Sequence, residues 1–365
     1  MAEKEAEFVD GAIGTVLSEG HRKNGAQMGV WFGCELPDSF GNWEEEYRLL
    51  REKVGLVDKD YRAYFEFTGP DRLRYLNAIL TNDIKGLKEN HGTASLFLNP
   101  QGHIQAELET YVFADMLFCV SYAMIRESLL SLMDKYIIMD DVTLTDATGK
   151  YATLAVEGSA APDAVFAASG VELAVMDQFE SREAKVREIP CRVVKKLPGG
   201  IASGEFLVAR ERAEELWNSL LGTVHRIGGG SVGYKALNAL RLETDVPWFD
   251  YDFGDKQIPH EAGLQDSHIS YTKGCYTGQE IVERVRSRGQ VNRVRVSLRF
   301  DGIEGPAPDT ALLADGKEIG HITRTGFSPL LKAWIGMGYV RREQAKLGTK
   351  LSLPVGQATV IASPV

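Results

Sequence analysis

The chain has 365 residues, 44% of them hydrophobic and 25% charged, which is too long for one comfortable core and too apolar for a disordered polypeptide. A net charge of −10 sets the general surface against nucleic-acid backbone and anionic lipid, so bulk binding to either is excluded. Cys34, Cys119, Cys191 and Cys275 show no CxxC spacing, which argues against a cysteine-pair zinc site or a disulfide scaffold. The charged first ten residues lack the apolar core of a signal peptide, and no apolar run is long enough to span a membrane. These features predict a cytoplasmic protein of two or three domains.

In chain order, residues 44–54 carry Tyr47, Leu50 and Val54 on one stripe and predict a helix. Residues 63–68 alternate as a strand. Gly69 and Pro70 stop it, and Asp71 is placed to cap a helix over 72–80. A strand over 94–98, a turn at Asn99 to Gly102 and a strand over 103–112 form a predicted hairpin, because proline and glycine there set the turn dihedrals. A strand over 116–122 and a helix over 127–136 follow. A second α+β set then runs from 151 to 243: a strand, a helix over 159–168 weakened by Pro162, strands near Arg192 and Phe206, and helices over 210–221 and 234–243. Residues 244–271 show no clear period, which points to a functional segment or one packed on another domain. After about Val291 short strands alternate with Gly, Pro and Asp turns, the pattern of a small β-barrel or sandwich.

Four segments are candidates for chemistry. The sharpest is Lys273 to Glu280, reading KGCYTGQE. Thr277 and Glu280 have capping-box spacing ahead of Ile281, Val282 and Val285, so a helix should begin near Gly278. Cys275 would then lie just before a helix N-terminus with Lys273 two residues away, and both favour the thiolate. The plain alternative is a glycine turn with Cys275 as filler. The second segment is Arg241 and Glu243 at the end of an apolar helix, either a polar fork for a ligand or ordinary helix-end pairing. The third is the hairpin from Asn99 to Glu107, a ligand contact or a plain turn. The fourth is the acid-free run holding Arg284, Arg286, Arg288, Arg293, Arg295 and Arg299, an anion site or a solvated face. The GxGxxG match at 228–233 is read as a loop, because no βαβ strand with a following acidic residue accompanies it. The seven histidines show no paired ligand spacing, and no metal ligand is assigned.

Residues 25–28, 32–37, 54–58, 80–84, 240–243, 259–264, 319–323 and 335–340 resemble, in order, the pattern of the glycine-cleavage T-protein (aminomethyltransferase) superfamily. KGCYTGQE is similar to the signature of its YgfZ-like folate-binding branch. The resemblance implies an α+β fold: a three-domain cloverleaf around a central folate channel, ending in a small β-barrel. The domains expected are 1–52 with 139–243, 53–138 with 244–288 carrying the KGCYTGQE loop, and 289–365 as the barrel. Tetrahydrofolate, or its 5,10-methylene or formyl derivative, is the implied ligand. Cys275, Lys273 and Glu107 are then the expected catalytic residues, and Arg241, Asn99, Glu243, Tyr271 and Gln279 the expected cofactor contacts.

Two departures from the family pattern stand out. Ala106 and Glu107 occupy the place of its Asp-Asp pair, so a carboxylate is kept but moved by one methylene. Residues 199–204 lack the glutamate of its Gly-Tyr-Thr-Gly-Glu segment. Three functions follow from the resemblance. One is support of iron–sulfur cluster assembly or repair through Cys275, with iron–sulfur enzymes as partners. Another is folate-dependent aminomethyl or methyl transfer using Glu107. The last is non-catalytic folate sensing with docking of a partner.

Overall fold

The computed structural model describes residues 11–289 and 291–364. A six-stranded mixed sheet, a five-stranded antiparallel sheet, a small three-stranded sheet and one closed barrel organise the described residues. The first sheet has six strands, in spatial order Ser181–Val186, Ile189–Lys196, Ser203–Ala209, Tyr151–Glu157, Gly55–Asp58 and Gly230–Ser231. Its central strand Tyr151–Glu157 is buried almost throughout, as a strand covered on both faces must be. The second sheet runs Gly92–Leu98, Ile104–Val112, Leu117–Tyr122, Arg62–Thr68 and Thr143–Asp146. Six strands between Arg293 and Ile361 close the barrel, so the all-β ending read from the turn spacing is a barrel and not a sandwich.

Strand pairing locates where the chain changes sheets. Gly55–Asp58 pairs with Tyr151–Glu157, and Thr143–Asp146 pairs with Arg62–Thr68. The chain therefore crosses between sheets at 58–62 and again at 146–151, later than the 52/53 and 138/139 breaks. A crossing after a completed strand leaves fewer ladder groups unpaired than one before it.

The helix Tyr234–Glu243 is the hub. It is buried on nearly every side and packs on the helix Trp43–Glu52, the strand Cys34–Ser39 and the barrel strands Lys317–Ser328 and Ala333–Arg341. Its apolar residues hold it inside, and it carries Arg241 and Glu243 into the interior on its last turn. The segment after it straps the barrel to the rest. Asp245 takes Arg295 and Ser297, Asp252 takes Thr323, and the Tyr339 hydroxyl donates to the Asp252 carbonyl. It also forms two short helices, Pro259–Ala262 and Gln265–His268, too brief to show a period.

Two expected caps do not form. The Asp71 carboxylate accepts from the Asp141 amide and from the Arg74 side chain instead of an amide of its own helix. Thr277 makes no cap either: the helix Gln279–Arg288 is preceded by Gly278 in the left-handed region, φ 82°. In both places a long-range contact outcompetes the local one.

Candidate functional site

The strand Ile104–Val112 carries Glu107 opposite Leu96, one step from a register shift at Phe97 and Leu98, and such a bulge re-aims neighbouring side chains. The Glu107 carboxylate is held at both oxygens. Oε2 accepts from the Tyr122 hydroxyl at 2.6 Å, and Oε1 pairs with His268 Nε2 at 2.9 Å. Burial, and then the Glu107 charge, push the Tyr122 phenol well above its ordinary value, so Tyr122 stays the donor.

From Tyr122 an aromatic row leads to Arg241. Tyr122 stacks on Phe249 at 5.0 Å and lies 5.5 Å from Phe32. Phe32 contacts Tyr61 at 4.3 Å, Tyr251 at 5.0 Å and Trp248 at 5.1 Å. The Arg241 guanidinium sits 4.6 Å from the Trp248 ring centre. Phe32 is in the left-handed region with φ 53°, and its amide donates to the Tyr251 hydroxyl. A bulky residue held there is strained, and strain of this kind marks functional positions.

Arg241 is 4% exposed. Its Nη1 pairs with Asp252 and with the Val246 carbonyl, and its Nε donates to Asn238. Its Nη2 is buried and has no hydrogen-bond partner among the described residues. An unpaired guanidinium N–H beside an indole face fits the polar edge of a flat heteroaromatic ring.

Other expected site residues stand elsewhere. Glu243 is fully buried, and its carboxylate is taken by the Tyr47 hydroxyl, Ser328 and the Leu330 amide. It ties the barrel to the helix Trp43–Glu52, with both carboxylate oxygens engaged by protein groups. Lys273 gives its ammonium to the carbonyls of Asn77, Leu80 and Asn82. It closes the end of the helix Arg72–Ile79, so its protons serve these carbonyls while its charge stands two residues from Cys275. Asn99 Oδ1 accepts from the Gln101 and His103 amides and so braces the hairpin turn. Tyr271 pairs with His260 and lies under Arg286, away from the row, lining a cavity of about 570 Å³ with Arg342. Gln279 opens the last helix, its amide on the Tyr276 carbonyl.

Cys275 is exposed, whereas Cys34, Cys119 and Cys191 are buried. Burial raises those three thiols to about 12, 12 and 11, which leaves them inert at neutral pH. The Cys275 loop is nonetheless anchored. Tyr276 is buried in one apolar cluster with Leu96, Leu98 and Phe249.

Of the arginine run, Arg284 pairs with Glu280, Arg286 with Glu283 and Arg295 with Asp245. A groove of about 1320 Å³ walled by Phe113, Phe118, Tyr151 and Arg192 holds none of the expected catalytic or cofactor residues. His91, Asp177 and Glu180 bring one ligand-type atom each within 4.8 Å of one another. Glu180 is already spent there on the Asp177 amide and Arg182. Sequence reasoning missed Tyr122, His268, Phe32 and Trp248, whose meeting is set by tertiary pairing.

The family model described as the GCVT N-terminal domain matches residues 17–268, and that of the glycine cleavage T-protein C-terminal barrel domain matches 293–365. An aminomethyltransferase of Desulfitobacterium hafniense is 26% identical over 340 residues, 93% of each chain. One of Clostridium botulinum is 27% identical over 355 residues, covering 95% of this chain and 94% of its own. The crystal structure of the glycine cleavage system aminomethyltransferase T from Bartonella henselae superposes with a TM-score of 0.87. It is 21% identical and covers 96% of this chain and 97% of its own, so the fold is the same. Among the described residues no helix is long and apolar enough to cross a membrane.

Proposed function

Because this chain belongs to the glycine-cleavage T-protein family, matched in both its N-terminal and barrel domains, we propose that it binds tetrahydrofolate, or a 5,10-methylene or formyl derivative, along the aromatic row and transfers a one-carbon unit beside Glu107. The observation that carries this reading is the placing of Glu107 and Arg241 at opposite ends of that row. The curated relatives bear the name aminomethyltransferase, which favours transfer chemistry over sensing alone. A bound reduced folate would supply the nitrogen atoms that carry the one-carbon unit. The protein would supply the rest. Phe32 and Trp248 offer faces for a flat ring, the free Arg241 N–H meets its polar edge, and the Glu107 carboxylate accepts or returns a proton.

Calorimetric titration with tetrahydrofolate tests the binding. Measurable heat is expected for the wild type, and none at millimolar ligand removes the folate premise. Turnover of a methylamine donor with tetrahydrofolate tests the transfer, and Glu107→Gln should abolish it. Binding without turnover of any such donor returns the protein to folate sensing.

One observation favours a second reading. The only exposed thiol among the four, Cys275, stands on a loop packed against the hairpin that bears Glu107. This supports a YgfZ-like role in iron–sulfur cluster assembly or repair in the cytoplasm, with iron–sulfur enzymes as clients. In that case Cys275→Ser retains tetrahydrofolate binding and lowers the activity of iron–sulfur enzymes in cells that depend on this protein. Unchanged activity removes the thiol reading.

A further inference from the structure

We propose that His268 is the positioning residue for Glu107, fixing the longer carboxylate side chain in one orientation from which it can exchange a proton with a bound folate. The proposal rests on the folate reading above for its ligand, and on local geometry for the rest.

His268 is 8% exposed and its backbone is pinned at both ends. Its amide donates to the Leu264 carbonyl, and its own carbonyl accepts from the Thr81 hydroxyl at 2.6 Å. The imidazole is held as firmly. Nε2 meets Glu107 Oε1 at 2.9 Å, and Nδ1 meets the Ser267 hydroxyl at 2.7 Å. A carboxylate only accepts, so the proton between His268 and an ionised Glu107 belongs to Nε2. Nδ1 is then the acceptor for the Ser267 hydroxyl. That hydroxyl has the Leu264 carbonyl as its alternative acceptor at 3.5 Å, and turning to it would strip the unprotonated Nδ1 of its donor, so the Nε2–H tautomer holds the hydroxyl on the ring.

The geometry answers the departure seen in the sequence. A glutamate where the family pattern has aspartate adds one rotatable bond and spreads the carboxylate over more positions. Two donors from two different elements remove that freedom. Tyr122, on the strand Leu117–Tyr122, fixes Oε2, and His268, at the end of a short helix, fixes Oε1. Each oxygen keeps a further lone pair for an incoming N–H. The charged and titratable groups around this pair include Arg62, whose charge opposes the upward push on Tyr122. Tyr122 stacks on Tyr61, and Asp266 on the same short helix is engaged by Gln265. Lys273 is committed to its three carbonyls.

Two measurements test the proposal. The first needs no folate. Imidazole 15N spectra of the full chain should show His268 as the Nε2–H tautomer, and Glu107→Leu, which removes the acceptor, should convert it to a mixture. An Nδ1–H tautomer in the wild type, or a spectrum that Glu107→Leu leaves unchanged, overturns the proposal. The second compares tetrahydrofolate titrations and turnover. His268→Leu should lower turnover at least tenfold, and His268→Gln, whose amide places one N–H near the former Nε2, should recover most of it. Turnover equal to wild type in His268→Leu, or no recovery in His268→Gln when both variants melt as the wild type does, also overturns it. If the wild type binds no tetrahydrofolate, the folate reading fails, and the tautomer measurement still decides whether His268 orients Glu107.

Discussion

The α-carbon of Gly278 lies so close to Asn99 that a β-carbon there would stand 2.8 Å from the Asn99 carbonyl oxygen and 3.0 Å from the Leu98 β-carbon. From the other side, a β-carbon on Gly102 would come within 2.8 Å of Ile281. Two glycines thus let the end of the KGCYTGQE loop and the hairpin leading to Glu107 pack closely, Gly278 against the Asn99 carbonyl and Gly102 against the Ile281 side chain. Gly278 also has φ 82°, so Gly278→Ala meets strain and a clash together and should cost about 1–3 kcal/mol. Gly274→Ala, with open space around it, should stay within about 0.5 kcal/mol of wild type. Thermal denaturation of both variants checks the pair, and equal melting would show that the loop is not seated on the hairpin.

Lys273 separates a structural role from a chemical one. Burial, with Lys85 adding to it and Asp83 opposing, brings its ammonium down to about 8, yet its protons serve three carbonyls. Lys273→Met should therefore cost about 1–3 kcal/mol, the penalty for acceptors left without a donor. It should leave the reaction of Cys275 with an exposed-thiol reagent at the wild-type rate. A rate that drops several-fold at unchanged stability would restore the lysine as the charge that serves the thiol.

The parts of this molecule that sequence could reach are those fixed by local rules. The helix Tyr234–Glu243 was legible because its apolar residues and its preceding Gly233 give both face and start. The hairpin at Asn99 was legible because proline and glycine dictate the turn. Thr277 misled for the same reason: its capping spacing is locally sound, but contact with Asn99 selects Gly278 and a left-handed entry instead. Asp71 likewise leaves its helix for an amide 70 residues away. Glu107 was named from the family pattern, but its partner His268 is 161 positions distant, and no period or motif joins them. The aromatic row gathers side chains from Phe32 to Tyr251 through packing alone, and the strained Phe32 backbone is invisible until the dihedral is seen.

Arg241 binds the strap after the hub helix to the barrel as well as flanking the proposed ligand. Its forked guanidinium reaches Asp252, Val246 and Asn238 at once, and Asp252 in turn holds Thr323 and the Trp248 amide. A lysine keeps the charge but offers a single point in place of a fork. Arg241→Lys should lose about 3 kcal/mol, the scale for a disrupted buried pair, and weaken tetrahydrofolate at least tenfold. Urea denaturation and calorimetry read the two effects separately. Stability lost with binding intact would make Arg241 a purely structural tie.

Glu109 sets an acid limit on the fold. Burial alone would raise its carboxyl, but Lys196 and Arg62 outweigh it and hold the group at about 2, against an ordinary 4.5. A depressed folded-state value means that the unfolded chain takes up the proton first. The stabilisation is complete above pH 4.5 and disappears as pH falls toward 2, amounting to about 3 kcal/mol at most. Asp60 works against this trend. Burial and the adjacent Asp58 raise it to about 6 from 3.8, so its contribution weakens stability as pH rises through that interval. The two are separated by difference, because Asp60 is common to wild type and Glu109→Gln. The stability gap between these proteins should be constant above pH 5 and should narrow steadily between pH 4.5 and 2. A gap that stays constant over the acid range would mean that Lys196 and Arg62 do not hold the Glu109 charge.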